Sequence, residues 1–255
     1  MTEKLREKMA NGEPFYGLYV SLTDPTIVEL AAMAGFDMIR IDLEHSLFSQ
    51  GELRELIRTS TALGLPVFVR VPSLSYVTAL LDMGASGIIA PNIDSREAAM
   101  EAIREVKYAP QGLRGMAGSQ RNTRYGTIPL PKYAASANED VLLCIQIESK
   151  KGIENIDEIL ALDGIDMVSS GRHDISQSYG LPGQNTHPLV LAAEDTVLSK
   201  AIDTGRYPVL LISSVKRRDE LMQKGVRGFM VGRDSLLLRD AMKKTLSAYK
   251  EELNT

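Results

Sequence analysis

The sequence predicts a single (β/α)8 barrel, a TIM-barrel fold, on three observations. Eight short β-branched or apolar runs recur from one end of the chain to the other. Amphipathic stretches alternate with them, and no Pro/Ser-rich linker or change of composition divides the 255 residues. That length suits one α/β barrel, although two compact domains also fit by length alone. No G-x-G-x-x-G follows the first run, which disfavours an open dinucleotide-binding sheet.

The candidate strands are residues 16–21, 37–42, 66–71, 87–90, 141–147, 167–170, 208–212 and 228–231. Several are apolar at nearly every position, as in Val141-Leu142-Leu143-Cys144-Ile145. Strands buried on both faces of a parallel sheet read that way. Candidate helices lie between them at 25–34, 51–64, 96–107, 189–204 and 235–252. Many close on a glycine that precedes the next strand: Gly35, Gly64, Gly84, Gly205 and Gly225. Glycine enters the left-handed conformation of a helix C-cap at low cost. Residues 108–140 break the rhythm, and connections of that length are usually functional or carry small elements of their own.

Composition excludes several function classes. A net charge of −4 argues against a nucleic-acid binder, whose footprint would be basic. No apolar run approaches the ~20 residues needed to span a bilayer. The opening Met1-Thr2-Glu3-Lys4-Leu5-Arg6-Glu7-Lys8 is charged and lacks the apolar segment of a signal peptide. Cys144 is the only cysteine, so no intrachain disulfide forms, as befits a reducing cytoplasm. Its apolar surroundings make it a packed core thiol rather than a nucleophile.

In such a barrel the active site lies where the strands end. The second strand runs into Asp42-Leu43-Glu44-His45, the third ends at Arg70, the fifth at Gln146-Ile147-Glu148, and the sixth enters Gly171-Arg172-His173-Asp174. Ionisable residues at four strand ends are hard to explain by packing. Glu148 and Asp174 follow adjacent strands, ~5 Å apart in a parallel sheet. Carboxylates that close need a cation or a proton between them. Oxygen ligands favour Mg²⁺ or Mn²⁺, and the alternative is a separate ion pair for each acid, with Lys150 or Arg172. His45 follows a strand that already delivers Asp42 and Glu44, and its ordinary pKa suits proton transfer near neutrality. His187, beside Pro188, reads as a helix start. Arg70 either meets a substrate carboxylate with its fork or pairs with Asp42 or Glu44. No candidate strand contains lysine, which disfavours a Schiff base and leaves a metal as the electron sink. The basic run Lys216-Arg217-Arg218 reads as a solvent-facing helix start.

These residues resemble the HpcH/HpaI family of class II pyruvate aldolases over nearly the whole chain. Ala34-Gly35-Phe36-Asp37 with Ile41-Asp42-Leu43-Glu44-His45 is similar to its A-G-F-D…I-D-x-E-H. Arg70-Val71-Pro72 resembles R-V-P, and Leu81-Asp82-Met83-Gly84-Ala85 with Gly87-Ile88-Ile89-Ala90-Pro91 resembles L-D-x-G-A-x-G-I-x-x-P. Tyr108-Ala109-Pro110-Gln111-Gly112-Leu113-Arg114-Gly115 is similar to Y-P-P-x-G-x-R-G. Gln146-Ile147-Glu148 and Gly171-Arg172-His173-Asp174-Ile175-Ser176 stand where the family has Q-x-E and G-P-x-D-L-S.

The resemblance implies reversible cleavage of 4-hydroxy-2-oxo acids, such as 4-hydroxy-2-oxoheptanedioate, to pyruvate and an aldehyde. It implies a divalent cation (Mg²⁺, Mn²⁺ or Co²⁺) on Glu148 and Asp174, with Gln146, Asp174 and the backbone around His173 seating the pyruvate unit. Arg70 would stabilise enolate charge. His45 would be the general base, made more basic by Asp82, with Asp42 as second choice. A homo-hexamer built of dimers that exchange their last helix is implied as well. One rival reaction keeps the site, the metal-dependent decarboxylation of oxaloacetate-like acids. A rival of another class is a barrel that binds a keto acid without turnover. Departures from the pattern are Arg172 in place of proline, Asn92 after Pro91, and Ser46-Leu47 in place of Gly-Pro. Arg172 either pairs with a neighbouring acid or selects aldehydes that carry an anionic tail.

Overall fold

The computed structural model describes residues 2–251. Its eight strands, Phe15–Val20 (β1), Met38–Asp42 (β2), Val67–Arg70 (β3), Gly87–Ala90 (β4), Leu142–Gln146 (β5), Met167–Ser169 (β6), Tyr207–Ile212 (β7) and Gly228–Arg233 (β8), close into one parallel barrel in sequence order. Alternation along each strand divides the core in two. Phe15, Tyr19, Met38, Phe68, Ile89, Leu142, Cys144, Met167, Val209 and Met230 fill the barrel interior, and Leu5 and Met9 of the first helix, Glu3–Ala10, join that cluster. Ile39, Ile41, Val67, Val69, Ile88, Leu143 and Ile145 belong to the larger cluster outside, shared with helix residues such as Leu56, Ile57, Leu80 and Ile103. Each such side chain removed from water contributes roughly 1.5–3 kcal/mol.

The strands match the sequence reading to within two residues, and β4 matches it fully. The helix expected over 51–64 runs Gln50–Ala62, because Ser49 and Glu52 form a reciprocal capping box. Gly84 ends the helix Val77–Met83 at φ 109°, as expected of a C-cap. Residues 108–140 carry a 3₁₀ turn, Arg121–Thr123, and the helix Leu130–Asp140. The final helix spans Asp234–Glu251, so residue 252 of the expected range lies outside the described residues. Its apolar side chains Leu236, Leu237, Leu238, Met242, Leu246 and Tyr249 are all exposed. Among the described residues no helix is long and apolar enough to cross a membrane.

Register fixes what meets at the strand ends. Asp42 of β2 lies beside Arg70 of β3, and Gln146 of β5 beside Ser169 of β6. Asp42, Arg70 and Gln146 therefore close their strands at one mouth of the barrel.

Candidate active site

On the β2–β3 side the Arg70 guanidinium clasps Asp42. Its Nε donates to Oδ1 at 2.6 Å and its Nη2 to Oδ2 at 2.7 Å. Nη2 also donates to the Tyr19 hydroxyl at 3.1 Å, and Tyr19 in turn donates to Asp42 Oδ2. Of the five N–H groups of an arginine, these bonds occupy Nε and Nη2. Nη1 is left facing Glu44 Oε2 at 2.7 Å. Burial pushes the Asp42 carboxyl up, but the Arg70 and Tyr19 hydrogen bonds and the nearby guanidinium charges outweigh it and hold the group at about 2. Arg70 is thus paired with both Asp42 and Glu44, and of its five N–H groups one on Nη1 is left beside the Glu44 contact. His45 is largely exposed, its Nε2 3.8 Å from Glu44 Oε2.

On the β5–β6 side Glu148 is 4% exposed. Gln146 Nε2 donates to its Oε2, and the backbone N–H of Asn92 donates to its Oε1 at 3.2 Å. Asp174 lies in the first turn of the helix Arg172–Ser178. A Cβ on Gly171 would sit 3.1 Å from Glu148 Oε2 and 3.2 Å from Asp174 Oδ2, so the two acids crowd one glycine. Burial, reinforced by the Asp174 charge, raises the Glu148 carboxyl to about 7. A proton or a cation relieves that repulsion.

Such a pair suits a hard divalent cation held by few protein oxygens. Among the described residues no group of three or more His, Cys, Asp or Glu could hold a metal ion, so the donor set here is this pair of carboxylates. The Gly171 cradle would lose its space to any side chain, so the residues present fit such an ion.

Asn92 joins the two sides, since its Nδ2 donates to Glu44 Oε1 at 3.2 Å. It adopts φ 55°, a conformation uncommon outside glycine. Asp82 does not meet His45 within the chain; its Oδ1 accepts from Arg114 Nη2 at 2.9 Å and Asn122 Nδ2 at 2.8 Å. The His173 ring lies against Asn185 Nδ2 at 3.0–3.1 Å. Arg172 reaches Glu194 Oε2 at 2.7 Å, and Arg217 binds the same oxygen. That is the neighbouring-acid alternative, and it also gives Arg217 a partner in place of the solvent role expected of it. His187 caps the helix Pro188–Asp203, as its place before a proline suggested. Cys144 is buried, and that burial pushes its thiol up to about 12, as befits a packed thiol.

Three contributors escaped the sequence reading. Tyr19 looked like one more apolar strand residue. Asn92 was noted only as a departure. Arg40 carries a signal in the sequence: in Met38-Ile39-Arg40-Ile41-Asp42 it shares the period-two face of Asp42, so it points inward too.

Comparison with known proteins agrees with this geometry. Residues 16–241 match the family model described as HpcH/HpaI aldolase/citrate lyase. The 2-keto-3-deoxy-L-rhamnonate aldolase of Escherichia coli O17:K52:H18 is 31% identical, over 100% of this chain and 96% of its own length. The hydroxypyruvate/pyruvate aldolase of Deinococcus radiodurans is 30% identical, over 99% of this chain and 91% of its own. Among solved structures, an HpcH/HpaI aldolase from Desulfitobacterium hafniense DCB-2 superposes with a TM-score of 0.89 at 30% identity, covering 97% of this chain and 96% of that one. With its closed barrel and its acids gathered at one mouth, the chain belongs to the HpcH/HpaI aldolase/citrate lyase family, a family of carbon–carbon lyases.

Proposed function

We propose that this barrel, as one unit over residues 1–255, catalyses the reversible aldol cleavage of 4-hydroxy-2-oxo acids to pyruvate and an aldehyde. The observation that carries the reading is the pair Glu148 and Asp174 crowded around Gly171, opposite the Arg70 clasp at the same barrel mouth. Glu148 and Asp174 hold a divalent cation (Mg²⁺, Mn²⁺ or Co²⁺). When bound, that ion draws off the negative charge that develops on a substrate carbonyl.

The chain's own residues do the rest. Gln146 and the backbone around His173 and Asp174 seat the 2-oxo acid. Arg70, fixed by Asp42 and Tyr19, presents the Nη1 N–H not engaged by Glu44 to the carbonyl oxygen where negative charge gathers. Its orientation is set before the reaction, so little reorganisation is needed. His45 takes the proton of the C4 hydroxyl. The C3–C4 bond then breaks, its electron pair moves toward the C2 carbonyl oxygen, and the aldehyde leaves. A proton delivered to C3 completes pyruvate. Asp82 supports His45 through the assembly or not at all, since within one chain it is held by Arg114 and Asn122.

The assembly is a homo-hexamer in which partner copies cover the exposed apolar face of Asp234–Glu251. A cavity of about 490 Å³ lined by Tyr16, Phe36, Ile212, Val215, Val231 and Leu237 offers a seat for a second copy's final helix. Exposed apolar surface of this extent marks an interaction site. The free buried thiol of Cys144 supports a reducing, cytoplasmic setting.

The test is incubation with a panel of 4-hydroxy-2-oxo acids and, separately, with oxaloacetate. Pyruvate and aldehyde released in equal amounts support the aldolase. CO₂ release from oxaloacetate without any aldol cleavage or addition favours the decarboxylase. Binding without turnover of either leaves a keto-acid-binding barrel.

A further inference from the structure

Arg40 is a charge buried in the barrel that forms no ion pair, although the Asp42 carboxylate lies close enough to attract it. The residue is 7% exposed, and among the described residues no acid lies within ion-pair distance. Its Nη2 donates to Gln146 Oε1 at 3.3 Å, and its Nε finds no partner. Its Cζ lies 5.1 Å from the centre of the Tyr19 ring, over which Arg233 also sits at 4.2 Å. Around it is a water-sized cavity of about 10 Å³, otherwise lined by Ser169 and apolar side chains such as Met38, Met167 and Met230. Burial and the charge of Arg70 outweigh the attraction of Tyr19 and Asp42 and lower its pKa, so on balance the site works against the charge it holds. Replacing a poorly paired buried charge by an apolar side chain of similar size is often neutral or stabilising. Stability therefore gives no reason for an arginine here.

The contact with Gln146 does. The amide is held at both ends, Oε1 toward Arg40 and Nε2 toward Glu148 Oε2. A flipped amide would set its NH₂ against a guanidinium and its oxygen against a carboxylate. Held this way, one N–H of Nε2 serves Glu148 and the second is free to face the mouth. The Glu148 end of the hold is shared with any cation that carboxylate binds, whereas the Arg40 end is not. The guanidinium also polarises the amide, which strengthens its N–H as a donor.

We propose that Arg40 is a positioning residue for the substrate: by holding Gln146 Oε1 from inside the barrel, it makes Gln146 a fixed N–H donor for a carboxylate or keto oxygen of the 2-oxo acid. The inference rests on Gln146 being a substrate contact, and the test separates the two.

Pyruvate KM, kcat and thermal midpoint are measured for Arg40→Met, Gln146→Ala and the double variant, using methyl-proton exchange in D₂O. Arg40→Met is expected to raise KM about three- to tenfold, the range of one directed hydrogen bond. KM should move more than kcat, and the thermal midpoint should hold or rise. The double variant should be no worse than Gln146→Ala alone, because Arg40 acts through Gln146. If Arg40→Met does not fold, Arg40→Gln takes its place with the same expected change in KM. A KM raised by Gln146→Ala but unmoved by Arg40→Met overturns the role of Arg40 alone, as do effects that multiply in the double variant. A KM unmoved by Gln146→Ala overturns the substrate contact, and the inference with it.

Discussion

Arg172 and Glu194 are bound at 2.7 Å, Nη2 to Oε2, and this pairing turns the arginine toward the helix Pro188–Asp203. Glu194 is 5% exposed and holds Arg217 as well, so one carboxylate ties together the starts of two helices, Arg172–Ser178 and Val215–Gln223. Arg172→Ala is therefore expected to change the kcat/KM ratio between an anionic and a neutral aldehyde less than about threefold. A larger change restores the selectivity role. Glu194→Ala removes the acid that the two guanidiniums share, leaving Arg217 only Glu220 at 3.5 Å, and should cost about 1.5–3 kcal/mol in denaturant melts. Arg172→Ala, which leaves Glu194 paired with Arg217, should cost less.

His45 is the exposed member of the site, and its exposure lets it be changed without disturbing the fold. His45→Ala should lose ~10²–10⁴-fold in kcat, the contribution of a positioned general base. Mn²⁺ affinity measured by equilibrium dialysis should barely move. Loss of that affinity in a folded variant would make His45 a ligand instead.

How far these features can be read from the sequence depends on how local they are. The barrel was legible because its strands are apolar on both faces, and because the residue after each strand must lie at the mouth. Asp42, Arg70, Glu148 and Asp174 could be named for that reason. Tyr19 was not legible in this way, and of Arg40 only its inward direction was, since an inward side chain within a strand acquires a role only from its neighbours across the barrel. The partners of Asp82 come from residues 108–140, whose path no periodicity reveals. Arg172 shows the same limit, for Glu194 lies 22 residues along the chain on another helix.

Glu148 should leave a signature in the pH dependence of stability. Its folded value of about 7 lies above the ordinary 4.5, so between these values the folded protein binds the extra proton. Metal-free stability should therefore fall as pH rises from about 4.5 through about 7, and level off above. The whole effect is on the order of 3 kcal/mol. Glu148→Gln removes the titrating group and should flatten that fall. An equally steep fall in Glu148→Gln would place the titration elsewhere.

The final helix should decide the assembly. Under the proposed hexamer, charging its apolar face with Leu237→Glu and Met242→Glu is expected to give smaller species than the unaltered chain in sedimentation experiments. An unchanged mass, or an unaltered chain that sediments as a monomer, would contradict the proposed assembly through this helix.

The most direct test of the aldolase reading is the exchange of pyruvate methyl protons in D₂O, followed by NMR before chelation, after it, and after Mn²⁺ is restored. Chelation should abolish exchange and Mn²⁺ should bring it back, while Glu148→Gln and Asp174→Asn should stay inactive with or without the ion. Full exchange by the metal-free protein, or by either variant, would contradict the assignment of Glu148 and Asp174 as the pair that holds the cation.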